Sequence, residues 1–595
     1  MGKSIRYRLA TLIALGTGVT PLFTGCGGSD STPAAPANLT CDNAMKTGFA
    51  PDSRTTVLLV KSFKKGDQLL LSGTATATTP VAANDMCLVK LLVGPGNPGP
   101  ASAPSTTQGI GIEIWLPSVS NWNNRLHLLG GAGMAGGQQT SLTAIVNAPT
   151  AAPWNVAGVE GAVAATTDTG HVSGGGAILM NPDGTINTLG WSQFSELGIH
   201  EMTLKTKALA LAYYGKTQKY TYWHGGSTGG RQGLKQAQLY PEDFDGIIAA
   251  SPAINWSKFS TAAIYPQVVY QRDLAGVAPT QGQLDAVSNA AISACDLVGG
   301  QHLGYLLDPS QCRYDPTTDL SAICVANGGT NATANCVTPA MATAFNKIWY
   351  GQTSGGSVPS PSADNGTSIT LTGNQRWFGL PRGVSMTALA SATPSSIDVD
   401  LVALELQDPT WSLPSFVNAT GNGANRWKNL SYEELSNAFD RGVALQGPFA
   451  NINTDNPDLT KFRARGGKLI TEVGTSDNLI FHLGVVNYYN RVATQMGGLA
   501  AVQAFYKLYL VPGMGHFPAN GTANPNANPP IPTQDDTYAV LTAWVERGTE
   551  PGRRDISSPV TAANPVANTA PICVYPLQRT YVSGSLNVAA SYSCS

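Results

Sequence analysis

Short apolar runs that end in glycine-rich turns dominate the pattern of hydrophobic and polar positions. Residues 219–223 (KYTYW), 468–473 (KLITEV) and 508–511 (LYLV) are rich in aromatic and aliphatic side chains, which is typical of buried strands. Residues 231–239 (RQGLKQAQL) follow the first of these turns and stop before Pro241, as a helix does when a proline ends it. This succession of strand, turn and helix predicts an α/β fold.

The strongest chemical signal lies between the first strand and its helix. Residues 225–229 (GGSTG) match G-x-S-x-G, in which a serine on a sharp strand-to-helix turn acts as a nucleophile. Alone the motif is weak, because 65 of the 595 residues are glycine and a glycine-rich surface turn is the alternative. Its position between a strand and a helix favours Ser227 as the nucleophile of an α/β-hydrolase.

A histidine that follows the serine along the chain is needed as the base, since α/β-hydrolases carry the order serine, acid, histidine. His302, His482 and His516 follow Ser227 at a sufficient distance. His302 lies in a loop-like segment flanked by cysteines, and His482 lies in an apolar run. His516 follows a strand through a glycine-rich loop and can reach the edge of the sheet, so we predict that it is the base.

The acid is predicted in the loop after strand 468–473. Asp477 lies just beyond this strand and its turn, where a carboxylate can orient His516 through the second ring nitrogen. Glu472 is the alternative, but it lies within the strand. We therefore predict Asp477 as the third member of the triad.

Backbone N–H groups are needed to stabilise the negative charge that develops on the substrate oxygen. One is expected from Thr228, which follows the nucleophile. The other is expected from the glycine-rich loop that ends residues 125–133 (RLHLLGGAG), with Gly130 or Gly131 as the donor. An ordinary tight turn is the alternative for this loop.

Composition narrows the class of protein further. Hydrophobic residues make up 42% of the chain, which indicates a globular protein rather than a disordered one. Charged residues make up only 12% and the formal net charge is −2, so nothing favours nucleic acid or an anionic membrane surface as a partner. Low charge with many glycines is common in exported bacterial proteins.

The N-terminus predicts export. A short basic segment precedes an apolar stretch at residues 9–23, and small residues then lead to Cys26 in a run that resembles a bacterial lipobox. We predict a signal peptide at 1–26 with lipid attached to Cys26, and an ordinary cleavable signal is the alternative. Residues 27–40 are then a flexible tether. The protein would be periplasmic, anchored to the outer membrane or extracellular.

The cysteines indicate an oxidising compartment. Without Cys26 their number is even, and they fall in pairs of near neighbours along the chain. A zinc site is the alternative, although no C-x-x-C spacing supports it. We predict four disulfides: Cys41–Cys87, Cys295–Cys312, Cys324–Cys336 and Cys573–Cys594.

Several segments together resemble the tannase and feruloyl esterase family, which includes an enzyme that hydrolyses mono(hydroxyethyl) terephthalate. The resemblance implies an α/β-hydrolase fold, a triad of Ser227, Asp477 and His516, and hydrolysis of esters of aromatic acids. It rests on residues 165–171 (ATTDTGH), 199–203 (IHEMT), 225–233 (GGSTGGRQG), 240–247 (YPEDFDGI), 511–514 (VPGM), 543–548 (AWVERG) and 571–576 (PICVYP).

The resemblance also implies a large inserted lid domain, because far more chain separates Ser227 from Asp477 than one strand–helix unit requires. We predict the lid at 254–462, between core segments 41–253 and 463–595. Lid residues that could line an aryl pocket or bind a substrate carboxylate are chosen by location alone: Trp377, Phe378 and Trp411 for the former, Arg376 and Arg382 for the latter.

Two departures from the family pattern stand out. The family joins a cysteine before the nucleophile to one after the catalytic histidine, and these positions are Gly226 and Phe517 here. The acidic loop that binds Ca²⁺ in many members corresponds to residues 295–304, in which only Asp296 is acidic. Because Ca²⁺ requires several oxygen ligands, we expect no metal and no cofactor.

The expected activity is hydrolysis of small aromatic esters, such as feruloyl or galloyl esters, by a secreted serine carboxylic ester hydrolase. Within catalysis, a terephthalate monoester or another small ester is the alternative substrate. A surface lipoprotein that uses the hydrolase fold for binding is the alternative class. The sequence leaves the oligomeric state open.

Overall fold

The computed structural model describes residues 38–418, 420–562 and 564–595, and in them nine strands form one mixed sheet. Residues Leu39–Ser595 form one compact unit. The strands of the described chain, including the short ones outside the main sheet, are β1 Thr55–Phe63, β2 Met86–Val93, β3 Ile110–Pro117, β4 Arg125–Leu129, β5 Val163–Thr167, β6 Tyr220–Gly226, β7 Gly246–Ala250, β8 Leu297–Val298, β9 Gln301–His302, β10 Lys468–Gly474, β11 Tyr506–Val511, β12 Arg554–Ser557, β13 Thr569–Ile572, β14 Arg579–Tyr581 and β15 Tyr592–Cys594.

The main sheet has the spatial order β1-β2-β3-β5-β4-β6-β7-β10-β11. The pairs among β1, β2, β3 and β5 are antiparallel, and every pair from β5 to β11 is parallel. The parallel strands are buried along most of their length, as expected when helices cover both faces of a sheet. Their carboxyl ends meet at one edge, so the loops after β4, β6, β10 and β11 lie close together.

Helices connect and cover the strands. They are α1 Met45–Gly48, α2 Pro153–Asn155, α3 Thr188–Ser192, α4 Gly198–Tyr214, α5 Thr228–Leu239, α6 Trp256–Ala263, α7 Tyr265–Asp273, α8 Gln281–Cys295, α9 Pro339–Tyr350, α10 Ser396–Leu406, α11 Tyr432–Ala444, α12 Thr460–Ala464, α13 His482–Met496, α14 Leu499–Gln503 and α15 Gln534–Arg547. Between β7 and β10 the described chain adds helices α6 to α12 but no strand to the main sheet. The lid boundaries at 254–462 stay a prediction.

The fold class predicted from the sequence is confirmed. The predicted strands correspond to β6, β10 and β11, and the predicted helix is α5, which begins three residues earlier at Thr228. The signal peptide, Cys26 and most of the tether lie outside the described residues. In the part of the chain that is described, no helix is long and apolar enough to cross a membrane.

Disulfides join the cysteines in the predicted pairs. Cys41–Cys87 ties the segment before α1 to β2, and Cys573–Cys594 ties the C-terminus to the chain after β13. Cys295–Cys312 and Cys324–Cys336 each close a short loop between α8 and α9. None of these bonds reaches the turn at Ser227.

Candidate active site

Ser227 occupies a strained turn between β6 and α5. Its backbone lies at φ 59° and ψ −123°, a conformation that non-glycine residues adopt only where the surroundings enforce it. Its N–H donates to the carbonyl of Ala250 at 2.9 Å. A Cβ at Gly225 would lie 2.4 Å from the carbonyl of Gly229, so the strand and helix can approach this closely only with glycine there. The motif therefore presents the serine at the carboxyl edge of the sheet.

His516 and Asp477 form a buried pair at the same edge. Nδ1 of His516 lies 3.0 and 3.1 Å from the two carboxylate oxygens of Asp477, which is fully buried. The N–H groups of Leu479 and Ile480 each donate to Asp477 Oδ1 at 2.9 Å. An ionised carboxylate only accepts hydrogen bonds, so Nδ1 of His516 carries the proton and Nε2 is left free to accept one.

Backbone hydrogen bonds hold the loop that carries His516. The N–H of Gly521 donates to Gly513 at 3.0 Å, and that of Gly515 donates to Ala519 at 2.9 Å. The N–H of Ser476 donates to the carbonyl of Met514 at 3.1 Å, which ties this loop to the one that carries Asp477. These contacts join the loops that carry His516 and Asp477.

Gly226 and Phe517 stand at the two positions that depart from the family pattern, and the carbonyl of Phe517 accepts from the N–H of Ala519 at 2.6 Å within the His516 loop. A Cβ at Gly226 would have its nearest neighbour at 3.8 Å, so a methyl group would fit there. The ring of Phe517 lies edge-on to His516 with a centroid distance of 5.0 Å and is 58% exposed.

Turnover is expected to survive a mild thiol reductant better than in relatives that carry the linking disulfide. The reason is that no S–S bond of the described chain restrains the Ser227 turn or the His516 loop. Initial rates before and after reduction, with circular dichroism to confirm the fold, measure this. Rapid loss of turnover with the fold intact would show that a disulfide matters to the site.

Ser227 and His516 open onto one cavity of about 130 Å³. In the described chain the side chains of Ser227 and His516 are not hydrogen-bonded to each other. Catalytic hydrogen bonds frequently tighten only once substrate is bound. Apolar cavities of roughly 150 Å³ bind a single benzene ring. The cavity is lined by Ala132, Gly133, Ser227, Thr228, Ala253, Trp256, Phe259, Leu389, Ser395, Ile397, Asp398, Leu479, Ile480, His516 and Phe517.

The aromatic residues chosen by location do not line this cavity. Trp377 and Phe378 are buried elsewhere, and Trp411 lies under the guanidinium of Arg426 at 4.2 Å from its ring centre. Trp256 and Phe259, on the first turns of α6, form the aromatic wall instead.

The two arginines chosen by location, Arg376 and Arg382, are also absent from the cavity lining. Arg376 pairs with Asp440, and Arg382 donates to the carbonyls of Tyr314 and Asn365. Among the lining residues there is no lysine or arginine. The cavity thus offers no fixed cation to a substrate carboxylate.

The structure gives Gly130 and Gly131, the predicted donors to the substrate oxygen, other acceptors, and the prediction itself stays untested. The N–H of Gly130 donates to the carbonyl of His224 at 3.0 Å, and that of Gly131 donates to Gln232 Oε1 at 3.1 Å. Both donors are therefore already used inside the protein. Ala132 and Gly133, the next residues, line the cavity instead, and their N–H groups have no acceptor among the described residues.

Thr228 lies where the sequence predicts it, at the first position of α5 beside Ser227. Its hydroxyl donates to the carbonyl of Gly133 at 2.5 Å, which fixes the distance between the two loops. The first N–H groups of a helix have no partner within the helix, and that of Thr228 has none elsewhere in the described chain. Its N–H is free for a ligand in the cavity.

Asp296, in the loop that corresponds to the family Ca²⁺ site, is engaged within the protein. One of its oxygens pairs with Nδ1 of His302, and the other accepts from the N–H of Gly304 at 2.7 Å. In the described residues no three side chains of His, Cys, Asp or Glu are grouped as metal ligands. These residues do not fit the six to eight oxygens that Ca²⁺ takes.

A chelator is expected to leave the melting temperature unchanged, because the Asp296 carboxylate is already engaged by His302 and the N–H of Gly304. Thermal unfolding with and without EDTA measures this. A clear drop in Tm that added Ca²⁺ restores would overturn it.

The segment 165–171 forms a tight turn after β5. Asp168 Oδ1 accepts from the N–H groups of Gly111 and Gly170, each at 2.8 Å. Thr169 and Gly170 both have positive φ, at 56° and 91°. Burial raises the pKa of Asp168 to about 8 despite these hydrogen bonds.

The contribution of Asp168 to the free energy of unfolding is expected to fall as pH rises from about 4 to about 8. Asp168 in the unfolded chain has a pKa of about 3.9, so in this window the folded state keeps a proton that the unfolded state has released. Asp168→Asn removes this titration and keeps the Oδ1 acceptor. Its Tm relative to the unsubstituted protein should rise between pH 5 and pH 8 in differential scanning fluorimetry. A difference in Tm that does not change with pH would contradict the assignment.

The sheet order and the strained serine between β6 and α5 define the class as an α/β-hydrolase. Crystal structures share this fold: feruloyl esterase B from Aspergillus oryzae has a TM-score of 0.71 at 22% identity over 93% of this chain and 99% of its own. A tannin acyl hydrolase from Aspergillus niger has a TM-score of 0.69 at 23% identity, covering 93% and 95%.

Sequence comparison identifies the family. Residues 98–595 match the family described as tannase and feruloyl esterase. A probable feruloyl esterase from Arthroderma benhamiae is 31% identical over 81% of this chain and 82% of its own length. Mono(2-hydroxyethyl) terephthalate hydrolase from Piscinibacter sakaiensis is 26% identical, with 81% of each chain covered. The chain belongs to the tannase and feruloyl esterase family of carboxylic ester hydrolases.

Proposed function

We propose that the protein hydrolyses esters of small, uncharged aromatic acids through an acyl-enzyme on Ser227. The observation that carries the proposal is the cavity onto which both Ser227 and an Asp477-bound His516 open. A serine, a histidine with a free Nε2 and a carboxylate that fixes its tautomer are the groups that acyl transfer requires.

In the proposed reaction His516 Nε2 takes the proton of Ser227 as its Oγ attacks the ester carbonyl carbon. The negative oxygen of the tetrahedral intermediate accepts from the N–H of Thr228 and from the segment of Ala132 and Gly133. The C–O bond to the alcohol then breaks, and His516 returns the proton to the leaving alcohol. A water molecule attacks the acyl-enzyme in the same way and restores the serine.

The lining of the cavity supports an aromatic acyl group without a carboxylate. Trp256 and Phe259 offer flat apolar surface, and Ile397, Leu479 and Ile480 add aliphatic contacts. Burying a carboxylate without a paired cation costs on the order of several kcal/mol. These features favour feruloyl or galloyl esters over terephthalate monoesters.

A substrate panel tests the proposal. We expect higher kcat/KM for methyl ferulate or methyl gallate than for mono(hydroxyethyl) terephthalate, with Ser227→Ala providing the background rate. A preference for the terephthalate monoester would overturn the assignment of the acyl group. The assignment of ester hydrolysis would still hold. An unchanged rate in Ser227→Ala would overturn the nucleophile.

We also propose that the protein is exported and anchored through a lipid on Cys26. The support is the basic and apolar N-terminal sequence together with disulfides, which persist in oxidising compartments. Cys26→Ser is expected to move the protein from the membrane fraction to the soluble one. If the unsubstituted protein and Cys26→Ser are both found in the soluble fraction, an ordinary cleavable signal is favoured.

A further inference from the structure

One acidic side chain, Asp398, lines the cavity together with Ser227 and His516. It lies in the first turn of α10 and is 5% exposed. Burial raises the pKa of Asp398 to about 7, and the hydroxyls of Ser395 and Ser260 act in the opposite direction. An ionisable group is thus held inside an otherwise apolar acyl pocket.

The carboxyl of Asp398 differs from the other buried carboxyls of α10 because it lines the cavity, where the hydroxyls of Ser395 and Ser260 interact with it. Asp400, two residues along the same helix, accepts from the N–H of Gly176 at 3.0 Å and from the hydroxyl of Ser412. Glu405 accepts from the hydroxyl of Thr261 at 2.9 Å. A carboxylate has about four lone-pair sites, so two hydroxyl donors leave Asp398 able to accept a further hydrogen bond from a ligand in the cavity.

A role in the helix alone does not account for this placement. Acidic residues favour the first turn of a helix because of its dipole, and this explains an acid at position 398. The same benefit is available to an exposed side chain without the cost of burial. The orientation toward the cavity therefore needs a second reason.

We propose that Asp398 accepts a hydrogen bond from a phenolic hydroxyl of the acyl group and so sets a preference for hydroxylated aromatic acids. This inference rests on the proposed function, since the acyl group must sit in the cavity beside Ser227. A phenolic O–H is a donor, and the apolar walls bring the aromatic ring alongside it. The same carboxyl repels the carboxylate of a terephthalate monoester.

The discriminating measurement is a ratio of two substrates in each variant. Methyl ferulate carries the phenolic O–H, and methyl 3,4-dimethoxycinnamate replaces it with a methyl ether of similar shape. Hydrogen bonds to charged groups contribute about 1.5–3 kcal/mol, so Asp398→Leu and Asp398→Ala should each lower the ratio of kcat/KM values by about 10- to 100-fold. Asp398→Asn keeps an oxygen acceptor and should lower it less.

Asp400→Asn is the matched control. It removes the charge of a buried carboxyl on the same helix that is absent from the cavity lining. This variant should lose thermal stability and keep the substrate ratio. p-Nitrophenyl acetate, whose acyl group has no ring, should be slowed less than methyl ferulate by each Asp398 variant.

The possible results separate the two proposals. An unchanged ratio in folded Asp398→Leu or Asp398→Ala, with both substrates slowed alike, would overturn the role of Asp398 and leave Ser227 catalysis intact. Loss of p-nitrophenyl acetate turnover in these variants would also overturn it, because Asp398 would then support the catalytic residues rather than the ring. Absence of ester turnover in the unsubstituted protein would instead refute the proposed function.

Discussion

Ser227→Ala is expected to lower kcat for methyl ferulate by at least about 10⁴-fold while leaving the melting temperature close to that of the unsubstituted protein. Removing a serine nucleophile from a Ser–His–Asp site has an effect of this size or larger. The side chain of Ser227 donates no hydrogen bond to another described residue, and its backbone N–H holds the turn through the carbonyl of Ala250. Steady-state kinetics and thermal unfolding measure the two quantities.

A buried serine outside the site provides the control. Ser288 lies in α8, its hydroxyl has no partner among the described residues, and it does not line the cavity. Ser288→Ala should therefore retain nearly full activity. A Ser227→Ala protein with activity within tenfold of the parent would mean that another group attacks the ester.

Asp477→Asn is expected to reduce kcat by about 10⁴-fold with a smaller change in KM. The amide would present its NH₂ group to His516 Nδ1 and so favour the tautomer in which Nε2 carries the proton and cannot accept it. Asparagine keeps an oxygen for the N–H groups of Leu479 and Ile480. The loss should therefore appear in activity rather than in folding.

Glu472 is the natural comparison, because it is the other acid that chain order allows. Its carboxylate accepts from the hydroxyl of Thr537 at 2.7 Å and pairs with Arg554, so it is engaged away from His516. Glu472→Gln should lower Tm by breaking this ion pair and leave kcat nearly unchanged. Loss of kcat in Glu472→Gln, with kcat nearly unchanged in Asp477→Asn, would assign Glu472 as the acid that orients His516.

The parts of the site that local sequence specifies could be predicted. The turn at Ser227 depends on adjacent glycines, and chain order together with a strand end selects His516 and Asp477. The donor loop could not be resolved in this way. Whether Gly130 or Ala132 has a free N–H depends on the pairing of β4 with β6 and on the reach of a glutamine in α5.

The cavity walls were beyond sequence reasoning for a similar reason. Trp256 begins a helix directly after the core, and nothing in its neighbours distinguishes it from Trp377, which the structure buries elsewhere. An acidic residue such as Asp398 is typical of the first turn of a helix, so the sequence can predict the helix start. Its position in the cavity with Ser227 depends on how α10 packs against α6. Tertiary packing decides which of several aromatic and acidic residues reach the substrate.

The most direct test of Ser227 as the nucleophile is covalent labelling with a fluorophosphonate followed by intact and peptide mass spectrometry. We predict one adduct per chain in the unsubstituted protein, on the peptide that contains Ser227, and none in Ser227→Ala. Loss of the adduct should coincide with loss of ester turnover. Labelling on a different residue, or full turnover without an adduct on Ser227, would contradict the assignment.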